Sequence, residues 1–358
     1  MTLPASQPVP NRNWIVAPDQ PVLVTGAGGF IGTRVVHMLL EHGCRRIRCF
    51  VRPSSDVGRL RKAVSVHENA AGVEVYEGNL LSKEDCANAA AESAVIFHLA
   101  AGNDKSYAGC FMNSVLTTRN LLDAAVSEGA LRRFVNVSSF AVYSNSHQRR
   151  RALLDENSPL EVEPALRDDP YGYGKLKQEQ LVERYHQESG VPYVTVRPGA
   201  VYGPGRHKLS GRIGIDTFGV FLHMGGSNRL PLTYVDNCAE AIVLAGLVEG
   251  VDGHVFNVVD DDLPTSRRFL RLYKRQVGGF LSLPIPYPVA YLLSAAWEDY
   301  SAWSDGQLPP RFNRRRCAAE WKGNRFSNEK LKDMLGWRPR VPFDQGARLF
   351  LDWIGGLN

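Results

Sequence analysis

The sequence predicts an α/β fold built on a doubly wound parallel sheet. Two observations predict it. A buried-strand run leads through a glycine-rich turn into an amphipathic helix near the start, and strand then alternates with helix over roughly 200 residues. With 358 residues, 44% hydrophobic and 22% charged, the chain can bury a full core as one large domain or two modest ones.

Taken in order, Val22-Leu23-Val24-Thr25 is short, apolar and β-branched, which reads as a buried strand. It runs into Gly26-Ala27-Gly28-Gly29-Phe30-Ile31-Gly32, and an amphipathic helix follows over Thr33 to His42, closed by Gly43. Strand, glycine turn and helix are what a dinucleotide needs. Gly26 permits the tight turn, Gly29 lets the backbone approach the pyrophosphate, and Gly32 allows close helix packing, with the phosphates on the helix N-terminus. The second strand, Ile47 to Val51, ends at Arg52, twenty residues beyond Gly32. An acidic side chain there would hold the ribose 2′-hydroxyl of NAD, whereas an arginine suits the 2′-phosphate of NADP. Arg52, with Ser54 and Ser55, therefore favours NADP(H), although Asp56 lies close by.

A third strand is expected over Val73 to Tyr76, followed by Gly78-Asn79-Leu80 and a helix from Ser82 to Ala91, with Ser82 as N-cap and Asp85 at the capping-box position. Val95 to Ala101 reads as a fourth strand ending in small residues that let a cofactor lie against the backbone; His98 within it reads as a packed histidine. Long helices are expected over Asn113 to Val126 and Tyr171 to Glu188, with Phe134 to Ser139 as a strand between them.

On that last helix Tyr171 and Lys175 are four residues apart, so they project from one face a turn apart. An ammonium there lowers the cost of a phenolate, pulling its pKa from near ~10 towards the range where it exchanges protons with a substrate oxygen. Tyr173 and Lys177 share the spacing, so spacing alone does not choose between the pairs.

The balance of 42 basic and 37 acidic residues, a net +5, suits anionic small molecules and falls short of a nucleic-acid partner. The triplets Arg149-Arg150-Arg151 and Arg314-Arg315-Arg316 stand out; the first reads as a solvated loop. Six cysteines lie scattered with no CxxC, so neither a metal site nor a disulfide framework is expected, and a reducing cytoplasm fits. Met1 to Gln20 lacks the charged start and apolar core of a signal peptide. Gln276 to Trp297 runs twenty-two residues without a charge, but Pro284, Pro286 and Pro288 leave about nine helical residues, too few to span a bilayer. It reads as a hydrophobic lid or core helix, as the lining of an apolar pocket, or as a membrane-surface contact.

The motifs together resemble those of an extended short-chain dehydrogenase/reductase of the NAD-dependent epimerase/dehydratase family, from about Pro21 to Trp353. Seven occur in order: Thr25-Gly-Ala-Gly-Gly-Phe-Ile-Gly32, Phe97-His-Leu-Ala-Ala101, Ser138-Ser-Phe-Ala-Val-Tyr143, Tyr171 with Lys175, Arg197-Pro-Gly-Ala-Val-Tyr-Gly-Pro204, Tyr234-Val-Asp-Asn237 and Leu335-Gly-Trp-Arg-Pro339. The resemblance implies an NAD(P)-binding Rossmann domain over residues 1–201 and 232–263, and a smaller substrate-binding domain over 202–231 and 264–358. It implies a homodimer, with the 113–126 and 171–188 helices paired across a two-fold axis.

Carried over residue by residue, the resemblance makes Tyr171 the acid/base, Lys175 the group that bonds the nicotinamide ribose and depresses the tyrosine pKa, and Ser139 the partner of the substrate oxygen, with Ser138 as fallback. The alignment of Leu176 and Glu179 favours Tyr171 with Lys175 and leaves Tyr173 as a rival. The implied cofactor contacts are Gly26, Gly28, Gly29, Phe30, Ile31, Arg52, Asn79, Leu80, Leu99, Ala100, Ala101, Lys175, Pro198 and Val201; substrate contacts are Ser139, Tyr202, Arg229 and Arg316, with Arg206 ranked below them. Phe140 and Ala141 stand where dehydratases and decarboxylases of the family carry carboxylates, which disfavours both reactions.

Hydride transfer at a secondary alcohol or ketone remains, by a redox epimerase or a net dehydrogenase/reductase. A nucleotide sugar is the favoured substrate, its diphosphate met by arginine forks. The alternative is an NADP(H)-dependent reductase of a sterol- or lipid-like substrate, since Val51-Arg-Pro-Ser-Ser-Asp56 resembles steroid- and hopanoid-associated branches. A non-catalytic dinucleotide-binding sensor is the reading from another class.

Overall fold

Seven parallel strands form the central sheet: β1 (Val22–Thr25), β2 (Ile47–Val51), β3 (Val73–Glu77), β4 (Val95–His98), β5 (Arg133–Val137), β6 (Tyr193–Pro198) and β7 (Val255–Val258). The structure, a computed structural model, describes residues 13–102, 104–146, 148–206, 210–217, 219–305, 307–308 and 312–356. Much of the expected signal-peptide-free N-terminal stretch lies in residues 1–12, outside the described residues.

The spatial order is β7-β6-β5-β4-β1-β2-β3, so the winding reverses between β1 and β4. Helices cover both faces, which explains why β1 and β4 are buried along their whole length and are apolar up to the Thr25 and His98 that end them. Even Arg133, at the start of β5, is fully buried, and its guanidinium is held bidentately by Asp252 at 2.7 and 2.8 Å.

Glycine chemistry fixes the turn after β1. Gly26 adopts φ +68°, and a Cβ on Gly32 would lie 2.1 Å from the Gly26 carbonyl oxygen and 2.9 Å from Ala27 Cα, so backbone meets backbone where only hydrogen fits. The helix that follows spans Gly32–Glu41. Ser82 caps the Lys83–Ala90 helix by accepting from the Asp85 amide at 3.1 Å; the Asp85 carboxylate accepts instead from the Asn79 amide at 2.7 Å, so the expected reciprocal box is only half formed.

Two expected helices differ in detail. The stretch expected as one helix from Asn113 begins as a wide π-helical turn, Phe111–Leu116, before regular helix over Thr117–Glu128. Thr117 and Thr118 donate their hydroxyls back to the Asn113 and Ser114 carbonyls, and Ser114 Oγ accepts from the Gly102 amide at 2.9 Å, which holds the turn open. The apolar stretch near residue 290 forms a helix of 17 residues, Tyr287–Trp303, rather than about nine. Pro288 falls in its first turn, where a missing N–H is tolerated, and the helix continues past Trp297.

After β6 the chain leaves the sheet through Ala200–Tyr202, paired in parallel with Leu232–Tyr234, and builds a three-stranded sheet from Gly214–Thr217, Val220–His223 and Ser282–Pro284. Helices at Ser266–Val277 and Phe343–Gly355 close over an aromatic cluster of Tyr202, Phe269, Phe343 and Phe350. All six cysteines are unpaired and buried, and among the described residues no helix is long and apolar enough to cross a membrane.

Candidate active site

A cleft of about 920 Å3 opens at the carboxyl ends of the strands, where the winding reverses. Its floor is the glycine turn, with Gly26, Gly29, Phe30, Ile31 and Gly32; Leu99, Ala101, Pro198 and Val201 form a wall, and Ser139, Tyr171 and Lys175 line the same space. The Gly32–Glu41 helix points its start into this cleft with no side-chain cap and no acid in its first turn. Its amides suit a pyrophosphate.

The Ser139 hydroxyl lies close enough to the Tyr171 phenol to influence its ionisation, and Ser139 Oγ accepts from the Ala141 amide at 3.2 Å. Burial pushes the phenol up, opposed by the Ser139 hydroxyl and the nearby Arg206 charge. The lowering expected from Lys175 is not found: the phenol is raised, with burial the leading cause. That ammonium turns to the Val137 carbonyl at 2.6 Å and Gln178 Oε1 at 3.0 Å, and burial lowers its own pKa to about 8. Tyr173, the rival, stacks edge-on against Tyr107 and is not among the residues lining the cleft.

Behind Lys175 runs a buried polar chain whose hydrogens can be assigned by elimination. Lys175 can only donate, so Gln178 Oε1 accepts from it and Gln178 Nε2 donates to Thr118 Oγ1 at 2.8 Å. The Thr118 hydrogen goes to the Ser114 carbonyl, so His98 Nε2 must carry the proton it donates to Thr118 Oγ1 at 2.9 Å. His98 Nδ1 is then bare and accepts from Thr25 Oγ1 at 2.8 Å, and Thr25 Oγ1 in turn accepts from the Ala100 amide at 3.3 Å. Burial, then the Lys175 charge, pushes the His98 pKa down to about 3, in keeping with a neutral ring. The expected packed histidine is thus the middle of a link from the glycine-turn strand to the lysine.

Other expected contacts fall outside the lining. Gly28 faces the loop after β2, its Cβ position 3.7 Å from the Asp56 carbonyl and 3.9 Å from Ser55 Cβ. Arg52 is exposed on that loop, and the Asp56 carboxylate accepts from the Gly58 amide at 2.9 Å. Asn79 is exposed at the end of β3 and Leu80 is buried beside it, its carbonyl accepting from Asn120 Nδ2 at 3.1 Å. Ala100 sits against Gly26, 3.1 Å from its Cβ position.

At the other end of the cleft Arg316 lines the wall, with Nε donating to Glu320 at 3.1 Å, and Tyr202 contributes while 5% exposed among the aromatics. Arg229 does not line the cleft. Its guanidinium donates to the Leu263 carbonyl at 3.0 Å, because the chain around it is bridged to Thr265. Arg206 does line it, joined by Arg167 and Arg212, which the sequence reading passed over; Arg212 Nη1 donates to the Ala319 carbonyl at 3.0 Å. Asp104, Asp168 and Asp169 supply carboxylates from segments distant in sequence from Phe140 and Ala141, and Ser138 Oγ is buried in the lining without a hydrogen-bond partner among the described residues. Among the described residues no cluster could hold a metal ion.

Comparisons with known proteins agree with this architecture. A profile of the NAD dependent epimerase/dehydratase family matches residues 22–258. The chain is 24% identical to a 3beta-hydroxysteroid-dehydrogenase/decarboxylase of Arabidopsis thaliana, over 94% of this chain and 80% of the relative. It is 25% identical to a trifunctional UDP-glucose 4,6-dehydratase/UDP-4-keto-6-deoxy-D-glucose 3,5-epimerase/UDP-4-keto-L-rhamnose-reductase of the same plant, covering 93% of this chain but only 47% of that protein's length. Among solved structures, the UDP-glucuronic acid 4-epimerase of Bacillus cereus in complex with UDP-glucuronic acid and NAD superposes with a TM-score of 0.69 at 20% identity, covering 94% of this chain and all of the other.

Proposed function

Because the chain belongs to the NAD dependent epimerase/dehydratase family, we propose that it catalyses NAD(P)-dependent hydride transfer at a secondary alcohol or ketone of an anionic substrate, a nucleotide sugar being the favoured class. One observation carries this reading: Ser139, Tyr171 and Lys175 converge on a cleft whose far wall bears Arg206, Arg212 and Arg316. When bound, the nicotinamide supplies the centre that takes or returns the hydride.

The residues present fit such a group. The glycine turn leaves a cradle that Cβ atoms would fill, and the uncapped helix start offers amides to the pyrophosphate. Arg52, exposed beyond β2 while Asp56 is engaged by Gly58, supports NADP(H) over NAD. Tyr171 takes the carbinol proton in oxidation and returns it in reduction, Ser139 donates to the substrate oxygen, and Lys175 keeps a cation behind the phenol with two of its three hydrogens already placed. Residues 202–231 and 264–358 are taken as the substrate-binding part, and the 111–128 and 170–189 helices as a homodimer face.

Dehydration and decarboxylation are argued against here only by Phe140 and Ala141, since relatives named above include both activities. A reductase of a sterol-like substrate is the second reading, supported by the Arabidopsis relative. The cleft arginines weigh against it, because their guanidinium donors suit an anionic group and an apolar substrate has none to offer them. The test is binding and turnover. Thermal shifts with UDP, dTDP, GDP and a sterol panel, in the presence of NAD or NADP, should respond to a nucleotide; response to sterols alone overturns the sugar reading. Absorbance near the nicotinamide band in the purified protein, without net NADPH consumption, identifies an epimerase.

A further inference from the structure

We propose that the Tyr287–Trp303 helix seats the protein on the surface of an anionic lipid bilayer. The helix is inside out for a water-soluble fold. Toward the protein it buries small residues, Ala290, Ser294 and Ser301. Toward solvent it presents Val289, Leu292, Leu293, Trp297, Tyr300 and Trp303, with Leu292 69% and Trp303 77% exposed. A surface helix ordinarily turns its large apolar side chains inward, and a contiguous exposed apolar face marks a contact with something else.

The pattern is that of a helix packed on protein through small residues with its bulky residues facing hydrocarbon. Ala290 packs with Met224, Cys317 and Trp321, so the small-residue face is the seated one. Three of these six, Trp297, Tyr300 and Trp303, are aromatic and carry a polar atom, as at a lipid–water boundary, where an apolar ring body and a polar atom are both satisfied. Leu283 extends the apolar face: it is paired with Leu222, which packs against the same cluster, and is itself exposed.

Charge selects the lipid. The same Ser282–Pro284 strand borders, on its other side, a groove lined by Arg267, Arg271, Lys274 and Arg275, where Lys274 donates to Ser282 Oγ at 2.7 Å. On the helix itself Glu298 is paired with Arg314, and Asp299, exposed on the same helix, lies near enough to that guanidinium to act on it. Basic groups beside the strand that leads into an apolar helix suit anionic headgroups around a shallowly inserted helix. Seventeen residues make a helix about 25 Å long, shorter than the ~30 Å hydrocarbon core, so the helix lies in the interface and does not cross it.

The test is sedimentation of the full chain with vesicles of phosphatidylcholine alone and of phosphatidylcholine mixed with phosphatidylglycerol. The wild type should partition onto the mixed vesicles, less onto the neutral ones, and less at high salt. Leu292→Glu with Trp303→Glu should lower partitioning at least ~10-fold, since each side chain removed from hydrocarbon is worth a kcal/mol or more, with the circular dichroism unchanged. Arg271→Glu with Lys274→Glu should weaken binding to the anionic vesicles only. Absence of wild-type binding to either vesicle, or equal binding by the helix variant, overturns the proposal. So does a fall in sedimentation mass of that variant without lipid, which would make the face a contact between protein chains. These readouts are independent of turnover.

Discussion

The Lys175 ammonium donates at 2.6 Å to the carbonyl of Val137, the last residue of β5 and two positions before Ser139. The helix that carries Tyr171 and the strand end that carries Ser139 are thereby tied to each other through the lysine. Hydroxyl, phenol and cation are set by one buried bond, with Lys175 itself only 2% exposed.

Replacing Tyr171 by Phe keeps the ring and removes the proton carrier. Steady-state kinetics should show kcat lowered by ~10²–10⁴-fold, with the unfolding midpoint near that of the wild type. Tyr173→Phe is the control. Its ring packs on Tyr107 away from the cleft, so kcat should stay within a few-fold; a loss matching that of Tyr171→Phe would transfer the role.

The Gln178 side chain accepts from Lys175, so Gln178→Leu removes an acceptor from a buried ammonium and pushes its pKa below about 8. The alkaline limb of kcat/KM should move to lower pH, and denaturant unfolding should report a loss of ~1–3 kcal/mol. Gln178→Glu places a carboxylate at the same point and should move the limb to higher pH. A limb that stays put in both variants would show that it does not report Lys175.

Acid stability should carry the mark of His98. Its pKa is lowered to about 3 in the fold against an ordinary 6.5, so between those values the unfolded chain binds the proton that the folded chain refuses. The stabilisation is complete above about 6.5 and is lost as pH falls towards 3. Compared with His98→Asn, the wild type should lose several kcal/mol more between those limits, because a pKa lowered from 6.5 to about 3 corresponds to ~5 kcal/mol. Parallel urea titrations of the two proteins across that window check it.

Arg212→Ala and Arg316→Ala should each raise KM for a diphosphate-bearing substrate ~10–100-fold with a smaller effect on kcat, as expected for lost contacts of a charged fork. Arg229→Ala should leave KM unchanged, since that guanidinium is spent on the Leu263 carbonyl. Equal effects at all three positions would remove the cleft arginines as the substrate contact.

Much of this architecture was legible in the sequence because the signals were local. The first two strands and the helix after the glycine turn follow from period, β-branching and glycine placement within a few residues of one another. Gly32 could be read from its spacing because the helix must touch the turn that starts it. The lysine support could not. Thr118 and Gln178 are 60 residues apart and His98 is 73 from Thr25, and nothing in one sequence pairs them until the sheet order is known. Arg229 misled for a related reason: register with Thr265 turned it outward, while Arg212 reached the cleft from a neighbouring loop. The 17-residue helix outruns the expected nine because Pro288 falls in its first turn, where a proline starts a helix instead of breaking it.

The burial of all six cysteines makes the native chain chemically silent toward thiol reagents. Desolvation raises the thiols of Cys44, Cys49 and Cys86 to about 12, so the reactive anion is scarce as well as shielded. A single cysteine placed on the exposed face of the Tyr287–Trp303 helix would therefore be the one handle for a fluorophore, without first deleting the natural six. Conversely, the release of those six on unfolding turns a colorimetric thiol count into a direct clock for opening of the core.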